Sequence, residues 1–181
     1  MLAQLFMTVS LLWAPGVSQK DSLLEVGAEA PNFYLRMLDG SDFYSRDLYG
    51  ETRSTPKARK DRDNVVLSFF ATWCGPCRKE IPELQELSKK YPDVKFYLID
   101  VAEDREKVEN HLKTTPIELP ILLDVYGKVA EKFKVKGEGN SLAVLPTLVM
   151  INKDGTIHFY KKGYEEGDEF KIEEQILKFA N

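Results

Sequence analysis

The sequence predicts one α/β domain whose central sheet has parallel inner strands and an antiparallel edge, with helices packed on it. Three observations carry this expectation. Residues 65–70 are a nearly unbroken apolar, β-prone run, the pattern of a strand buried on both faces, and 94–101 read as another buried strand. Stretches with helical spacing follow each run, so a strand, helix, strand, helix order emerges. Finally, two short strands flank Lys153-Asp154-Gly155 and an amphipathic stretch closes the chain, which adds a hairpin and a last helix.

In chain order, residues 31–38 and 41–44 read as two short strands joined at a hairpin turn by Asp39-Gly40. Residues 50–64 hold Pro56 and five basic side chains and have no period, so they read as a solvated surface loop without an assigned role. After the strand at 65–70, Ile81, Leu84, Leu87, Ser88 and Tyr91 fall at helical spacing, which predicts a helix opening at Cys74 and kinked at Pro82. Residues 104–113 form a polar helix, 120–123 a short strand and 125–133 a short helix. Residues 146–152 and 156–160 pair as the closing hairpin, and 168–179 form the last helix.

Of the side chains, 43% are apolar and 30% charged, which suits one globular domain with a sizeable core. The 25 basic and 29 acidic residues are dispersed, so no basic face points to nucleic acid as a partner. The first eighteen residues carry no charge and include an apolar run from Leu2 to Trp13, with Gly16 and Ser18 ahead of a polar stretch. That is the pattern of a secretory signal peptide over residues 1–18, which leaves a domain of residues 19–181. An uncleaved apolar anchor and a buried N-terminal helix are the alternatives. A signal peptide would put the domain outside the cytoplasm, in the periplasm, soluble or membrane-anchored.

Only two cysteines occur, three residues apart, in Trp73-Cys74-Gly75-Pro76-Cys77. Following a buried strand and opening a helix, the Cys74 sulfur would face unpaired N–H groups and the positive end of the helix dipole. Thiols so placed can fall from about 8.5 into the range of roughly 3.5 to 7.5, which makes Cys74 the expected attacking sulfur. Cys77 lies almost one turn on, close enough to close a disulfide or resolve a mixed one, and should be less exposed. Pro76 suits a first helical turn, and Gly75 leaves room for a partner's backbone. Two cysteines at this spacing also begin zinc knuckles, but there is no second pair, and His111 and His158 have no ligand-like spacing. No metal or other cofactor is therefore expected beyond a redox-active Cys74–Cys77 disulfide. A passive disulfide is the blander alternative, although so short a loop gains little stability from cross-linking.

Residues 69–82, Phe-Phe-Ala-Thr-Trp-Cys-Gly-Pro-Cys-Arg-Lys-Glu-Ile-Pro, resemble the active-site segment of the extracytoplasmic thioredoxin-like reductases of the TlpA and ResA kind, a group related to AhpC/TSA. Residues 27–33, Leu145-Pro146-Thr147 and residues 151–155 extend the resemblance over most of 27–181, while 50–64 and 136–144 depart from it. The resemblance implies a thioredoxin fold, a central mixed sheet flanked by helices, with an N-terminal hairpin extension. It implies that Leu145-Pro146 is a cis peptide beside the cysteines whose backbone pairs with the substrate; the residues alone place Pro146 at the start of an edge strand. Trp73 would shape the contact surface over the cysteines, with core packing as the simpler reading. Ser68 stands where cytoplasmic thioredoxins carry a buried aspartate, so that acid is missing. Glu80 stands where the resembling family has a glutamate that influences cysteine acidity; an exposed helical glutamate is the alternative.

The expected function is thiol-disulfide exchange, with Cys74 attacking and Cys77 resolving, and Glu80 assisting. Gly75 and Pro76 resemble the pair found in reducing members, which implies a reductase of disulfides in extracytoplasmic or cytochrome-maturation proteins. Its partners would be disulfide-containing proteins and an upstream thiol reductant, soluble or membrane-bound. Residues 139–145 lack the Gly-Val-Tyr-Gly pattern of dedicated cytochrome-maturation members. A peroxiredoxin-like peroxidase would need a threonine three residues before the cysteine and a proline seven before, where this chain has Ala71 and Leu67. A non-enzymatic binding module with a vestigial disulfide is the third class, and the intact Trp-Cys-Gly-Pro-Cys argues against such decay.

Overall fold

The computed structural model describes residues 24–50, 62–136 and 142–179. The expected leader and most of the loop at 50–64 lie outside the described residues.

Strands β1 (Tyr34–Met37) and β2 (Asp42–Tyr44) form the expected hairpin, in which Asp39 Oδ1 accepts the Ser41 N–H at 2.8 Å. Then follow β3 (Asn64–Phe70), α1 (Cys77–Lys90), β4 (Val94–Val101), α2 (Arg105–Leu112), β5 (Ile121–Asp124) and α3 (Lys128–Lys132). Strands β6 (Thr147–Ile151) and β7 (Ile157–Lys162) and helix α4 (Asp168–Phe179) complete the described residues. The sheet runs β2-β1-β5-β4-β3-β6-β7. Strands β3, β4 and β5 are parallel, because α1 and α2 return the chain between them, while hairpins finish both edges with antiparallel pairs.

Burial on both faces explains the continuous apolar strands. Val66 and Phe70 of β3 face a cluster built with Ile81 and Leu84 of α1, Val108 of α2 and Ile172 and Ile176 of α4. Val65, Leu67 and Phe69 face the other way, toward Phe33, Phe43, Val129 and Phe133. By the same alternation Ser68 and Asp100 are the polar members of the first face.

Several boundaries depart from the sequence expectation for local reasons. Helix α3 starts at Lys128, because Gly127 takes a left-handed φ of 64° and Asp124 turns back to accept the Ala130 N–H at 2.8 Å. Pro146 does not begin an edge strand; it precedes β6, which lies between β3 and β7 and whose first paired residue is Thr147. In the β6–β7 turn Gly155 has a φ of +94°, and a Cβ there would sit 2.8 Å from the Gly50 Cα, so the turn must be glycine. Among the described residues no helix is long and apolar enough to cross a membrane.

Phe133 is fully buried, edge-on to Phe33 at 5.7 Å and tilted against Phe69 at 5.5 Å. It locks the N-terminal segment onto β3. Phe133→Ala should lower unfolding free energy by about 3–5 kcal/mol, read from urea melts followed by circular dichroism. A loss under about 1 kcal/mol would show that this ring does not hold the second cluster together.

Candidate active site

The chain leaves β3 at its C-terminal end with Ala71 and Thr72 buried and Trp73 turned outward, 58% exposed. Core packing of Trp73 is thereby excluded. The Cys74 N–H donates to the Ala71 carbonyl at 3.0 Å, which closes a turn. Helix α1 begins at Cys77, three residues later than the spacing predicted, and Pro76 is its N-cap with φ −60° and ψ −33°. The proline is the cause: its ring disfavours helical backbone at Gly75, so the helix starts only after it.

Cys74 nevertheless meets the end of the helix. The N–H of Cys77 donates to Cys74 Sγ at 3.2 Å. The two cysteines form a disulfide with an S–S distance of 2.01 Å and Cα atoms 5.3 Å apart. Both are buried, Cys74 at 3% and Cys77 at 1% exposure, while Gly75 and Pro76 between them are exposed.

Glu80 is not an exposed helical acid. It is 2% exposed, and the Ser68 hydroxyl donates to its Oε2 at 2.6 Å. The serine that replaces the expected aspartate thus holds an acid supplied by the helix. Burial raises the Glu80 pKa to about 7; the Ser68 hydrogen bond and the Lys161 ammonium oppose the shift, and Glu83 and Asp168 add to it. Lys161 pairs with the buried Asp168 at 2.5 Å.

A second carboxyl pair, not singled out from the sequence, stands behind Thr72. Glu103 Oε2 accepts the Thr72 N–H at 2.5 Å and its Oε1 accepts the Thr72 hydroxyl at 2.9 Å, while Lys107 pairs with the same carboxylate. Burial would raise the Glu103 pKa, but Lys107 and Thr72 more than offset it and keep the group ionised. Asp100 is fully buried, no donor among the described residues reaches its oxygens, and burial beside Glu103 raises its pKa to about 8. At neutral pH Asp100 therefore keeps a proton and Glu103 does not. An aspartate within the apolar run from Phe96 to Val101 of β4 was the available signal for the first. For Glu103, an acid just ahead of the polar helix α2, the sequence carries no such signal.

The Leu145–Pro146 peptide is cis. The register Phe69↔Thr147 places it beside the start of the cysteine loop. Gly163 donates its N–H to the Pro146 carbonyl at 2.7 Å, whereas neither the N–H nor the carbonyl of Leu145 is taken by another described residue.

The family model described as the AhpC/TSA family matches residues 26–160. The chain belongs to the AhpC/TSA family. It is 30% identical over 167 residues to the thiol-disulfide oxidoreductase ResA of Bacillus cereus strain ATCC 10987, covering 91% of this chain and 84% of that one. ResA of Bacillus subtilis strain 168 is 30% identical over 140 residues, 76% of this chain and 67% of that one. A Chlorobium tepidum structure assigned as the thiol:disulfide interchange protein DsbE superposes with a TM-score of 0.72 at 25% identity, covering 87% of this chain and 99% of that one. This AhpC/TSA member has the thioredoxin fold and is a thiol-disulfide oxidoreductase acting on disulfide-containing substrates.

The buried acid gives the disulfide form a pH signature. Glu80 holds its proton to about pH 7 when folded and to about 4.5 when unfolded, so between these values the native state binds more protons and stability falls as pH rises. The penalty is absent below pH 4.5 and reaches on the order of 3 kcal/mol above pH 7. Relative to the parent, Glu80→Gln should therefore gain stability steadily from pH 4.5 to 7 in denaturant melts of the oxidised protein. A stability difference independent of pH would mean that Glu80 titrates as an ordinary solvated acid.

Proposed function

We propose that this oxidoreductase is a reductase of disulfides in extracytoplasmic proteins, with Cys74 as nucleophile, Cys77 as resolving thiol and Glu80 as the group that manages the Cys77 proton. The observation that carries the assignment is the Cys77 N–H directed at Cys74 Sγ, since a donor at the start of α1 favours a thiolate on Cys74.

The reaction balances over two exchanges. The Cys74 thiolate attacks one sulfur of the substrate disulfide, forms the mixed disulfide and releases the other substrate sulfur as a thiolate. Cys77 then loses its proton and attacks Cys74 Sγ, which restores the Cys74–Cys77 disulfide and releases the second substrate thiol. The substrate gains two electrons and the enzyme dithiol loses them. An upstream dithiol reductant, soluble or membrane-bound, resets the cysteines. Glu80 lies one turn beyond Cys77, and a carboxyl with a pKa of about 7 can accept and return a proton at neutral pH. Trp73, Gly75 and Pro76 supply the exposed rim, and the backbone of Leu145 beside Pro146, which no other described residue takes, offers hydrogen bonds to an extended substrate segment. The reaction asks for no cofactor beyond the cysteine pair.

Reduction rather than oxidation rests on Gly75-Pro76, the pair that resembles reducing members. Cytochrome-maturation proteins form a narrower substrate set, placed second because residues 139–145 lack the Gly-Val-Tyr-Gly pattern.

Division of labour between the sulfurs is the direct test. Cys77→Ser should attack a disulfide substrate and stall as a mixed disulfide through Cys74, detected on a non-reducing gel and by mass spectrometry. Cys74→Ser should capture nothing. Mixed disulfides formed through Cys77 in the Cys74→Ser protein would reverse the roles.

The charge-free apolar N-terminus supports a position outside the cytoplasm, in the periplasm of a two-membrane cell. Protein recovered from the native host should begin near Gln19 when its N-terminus is sequenced. Met1 intact on protein from the soluble cytoplasmic fraction would overturn this placement.

A further inference from the structure

On the face of α1 turned away from Glu80, the helix and the turn after α2 stand apart beside the disulfide. The gap is a shallow pocket that begins at Cys74 and Cys77 themselves; the space over it amounts to about 360 Å³, part of which is open solvent at its mouth. Phe70, Ala71, Ile81, Pro82, Pro116 and Ile117 make its apolar wall. The Pro82 ring adds apolar surface to this wall in the first turns of the helix. The rim is polar and carries positive charge at one point. The Arg78 guanidinium is exposed there and has no hydrogen-bond or ion-pair partner among the described residues, with His111 and Thr115 across the opening.

We infer that this pocket is a substrate subsite, taking an apolar side chain one or two residues from the substrate's reacting cysteine, with an acidic residue next to it at Arg78. The inference rests on Cys74 being the attacking sulfur, as proposed above. Its occupant follows from continuity. When the mixed disulfide forms, the substrate backbone is tethered to Cys74, and an extended chain advances only about 3.3 Å per residue. Side chains flanking the substrate cysteine must therefore come to rest within reach of the pocket mouth, whose wall includes the residue that holds them. An apolar side chain loses water contact there, while a polar one would lose its hydrogen bonds without replacement. The unpartnered guanidinium selects the sign of the neighbour. Its exposure makes that contribution small and sensitive to salt.

The site is distinct from the Glu80 side of the disulfide. Glu80, Ser68 and Lys161 lie toward β3 and β7 and handle a proton; Arg78, Ile81, Pro82 and Gln85 lie toward α2. Substrate choice and proton handling would thus occupy opposite faces of one helix.

The test uses the reduced full-length protein and synthetic peptides, each carrying one cysteine as a mixed disulfide with a chromophoric thiol. The residue beside that cysteine is Phe, Leu or Gly, and the next is Glu or Lys. Second-order rate constants for the Phe and Leu peptides should exceed that for Gly by about tenfold, and Glu should exceed Lys by about two- to fivefold at low salt. Thr115→Trp, which narrows the mouth, and Ile117→Asp, which charges the wall, should each bring the Phe-to-Gly ratio toward one. Taking the ratio within each variant cancels any change in thiol reactivity. A parent protein that reacts with all peptides at one rate would overturn the subsite, as would an undiminished ratio in both variants. Failure of the reduced protein to react even with the Gly peptide, or undiminished reaction by Cys74→Ser, would instead overturn the role of Cys74.

Discussion

The contact between the Cys77 N–H and Cys74 Sγ depends on a junction where a central strand ends and a helix begins within a few residues. Everything around it holds that junction in place. Strand β3 is buried on both faces and paired on both edges, by β4 and β6, so its C-terminal end cannot drift. Glu103 clamps Thr72 through two hydrogen bonds, which fixes the backbone just before the turn that presents Cys74. Pro76 then delays the helix until Cys77, so that the first helical N–H points back at the sulfur. A Cys-Gly-Pro-Cys segment without this frame would carry the same residues and lack the geometry.

Three carboxyls lie buried around this junction, and their different surroundings suggest different roles. Glu80 keeps one hydroxyl donor and sits among charges of both signs, so its pKa settles near 7, where a proton can be exchanged. Asp100 is buried, faces an ionised Glu103 and meets no donor among the described residues, which holds it protonated to about pH 8. Glu103 meanwhile is kept ionised by Lys107 and by the Thr72 donors. One acid is poised to titrate, and the other pair acts as a brace. Alternation along β3 and β4 sets Ser68 and Asp100 on the sheet face that packs against α1, α2 and α4.

Much of this was legible as pattern. The buried strands, the two hairpins, the closing helix and the cysteine pair all follow from local periodicity, turn chemistry and spacing, which require no knowledge of distant contacts. Boundaries moved where a single residue overrode the pattern, as Pro76 and Gly127 did for the starts of α1 and α3. The acid network was not legible, because the Ser68–Glu80 and Thr72–Glu103 bonds span 12 and 31 residues and nothing in one partner's neighbourhood announces the other. Glu80 shares the helical stripe of Cys77, Leu84 and Leu87, so the period places it on the inward face, but only the packing of α1 on β3 supplies Ser68 as its partner.

By itself, the sequence determined the order of elements and the chemistry, since alternation, helical spacing and two cysteines three apart are properties of neighbours along the chain. Tertiary structure alone decided which side chains flank the sulfurs. Crossovers place Glu80, Ser68, Thr72 and Glu103 around the disulfide, and the separation of α1 from the turn after α2 opens the pocket on its other side. Burial, which sets the titration of each acid, is a property of the packed sheet and helices and has no counterpart in a list of residues.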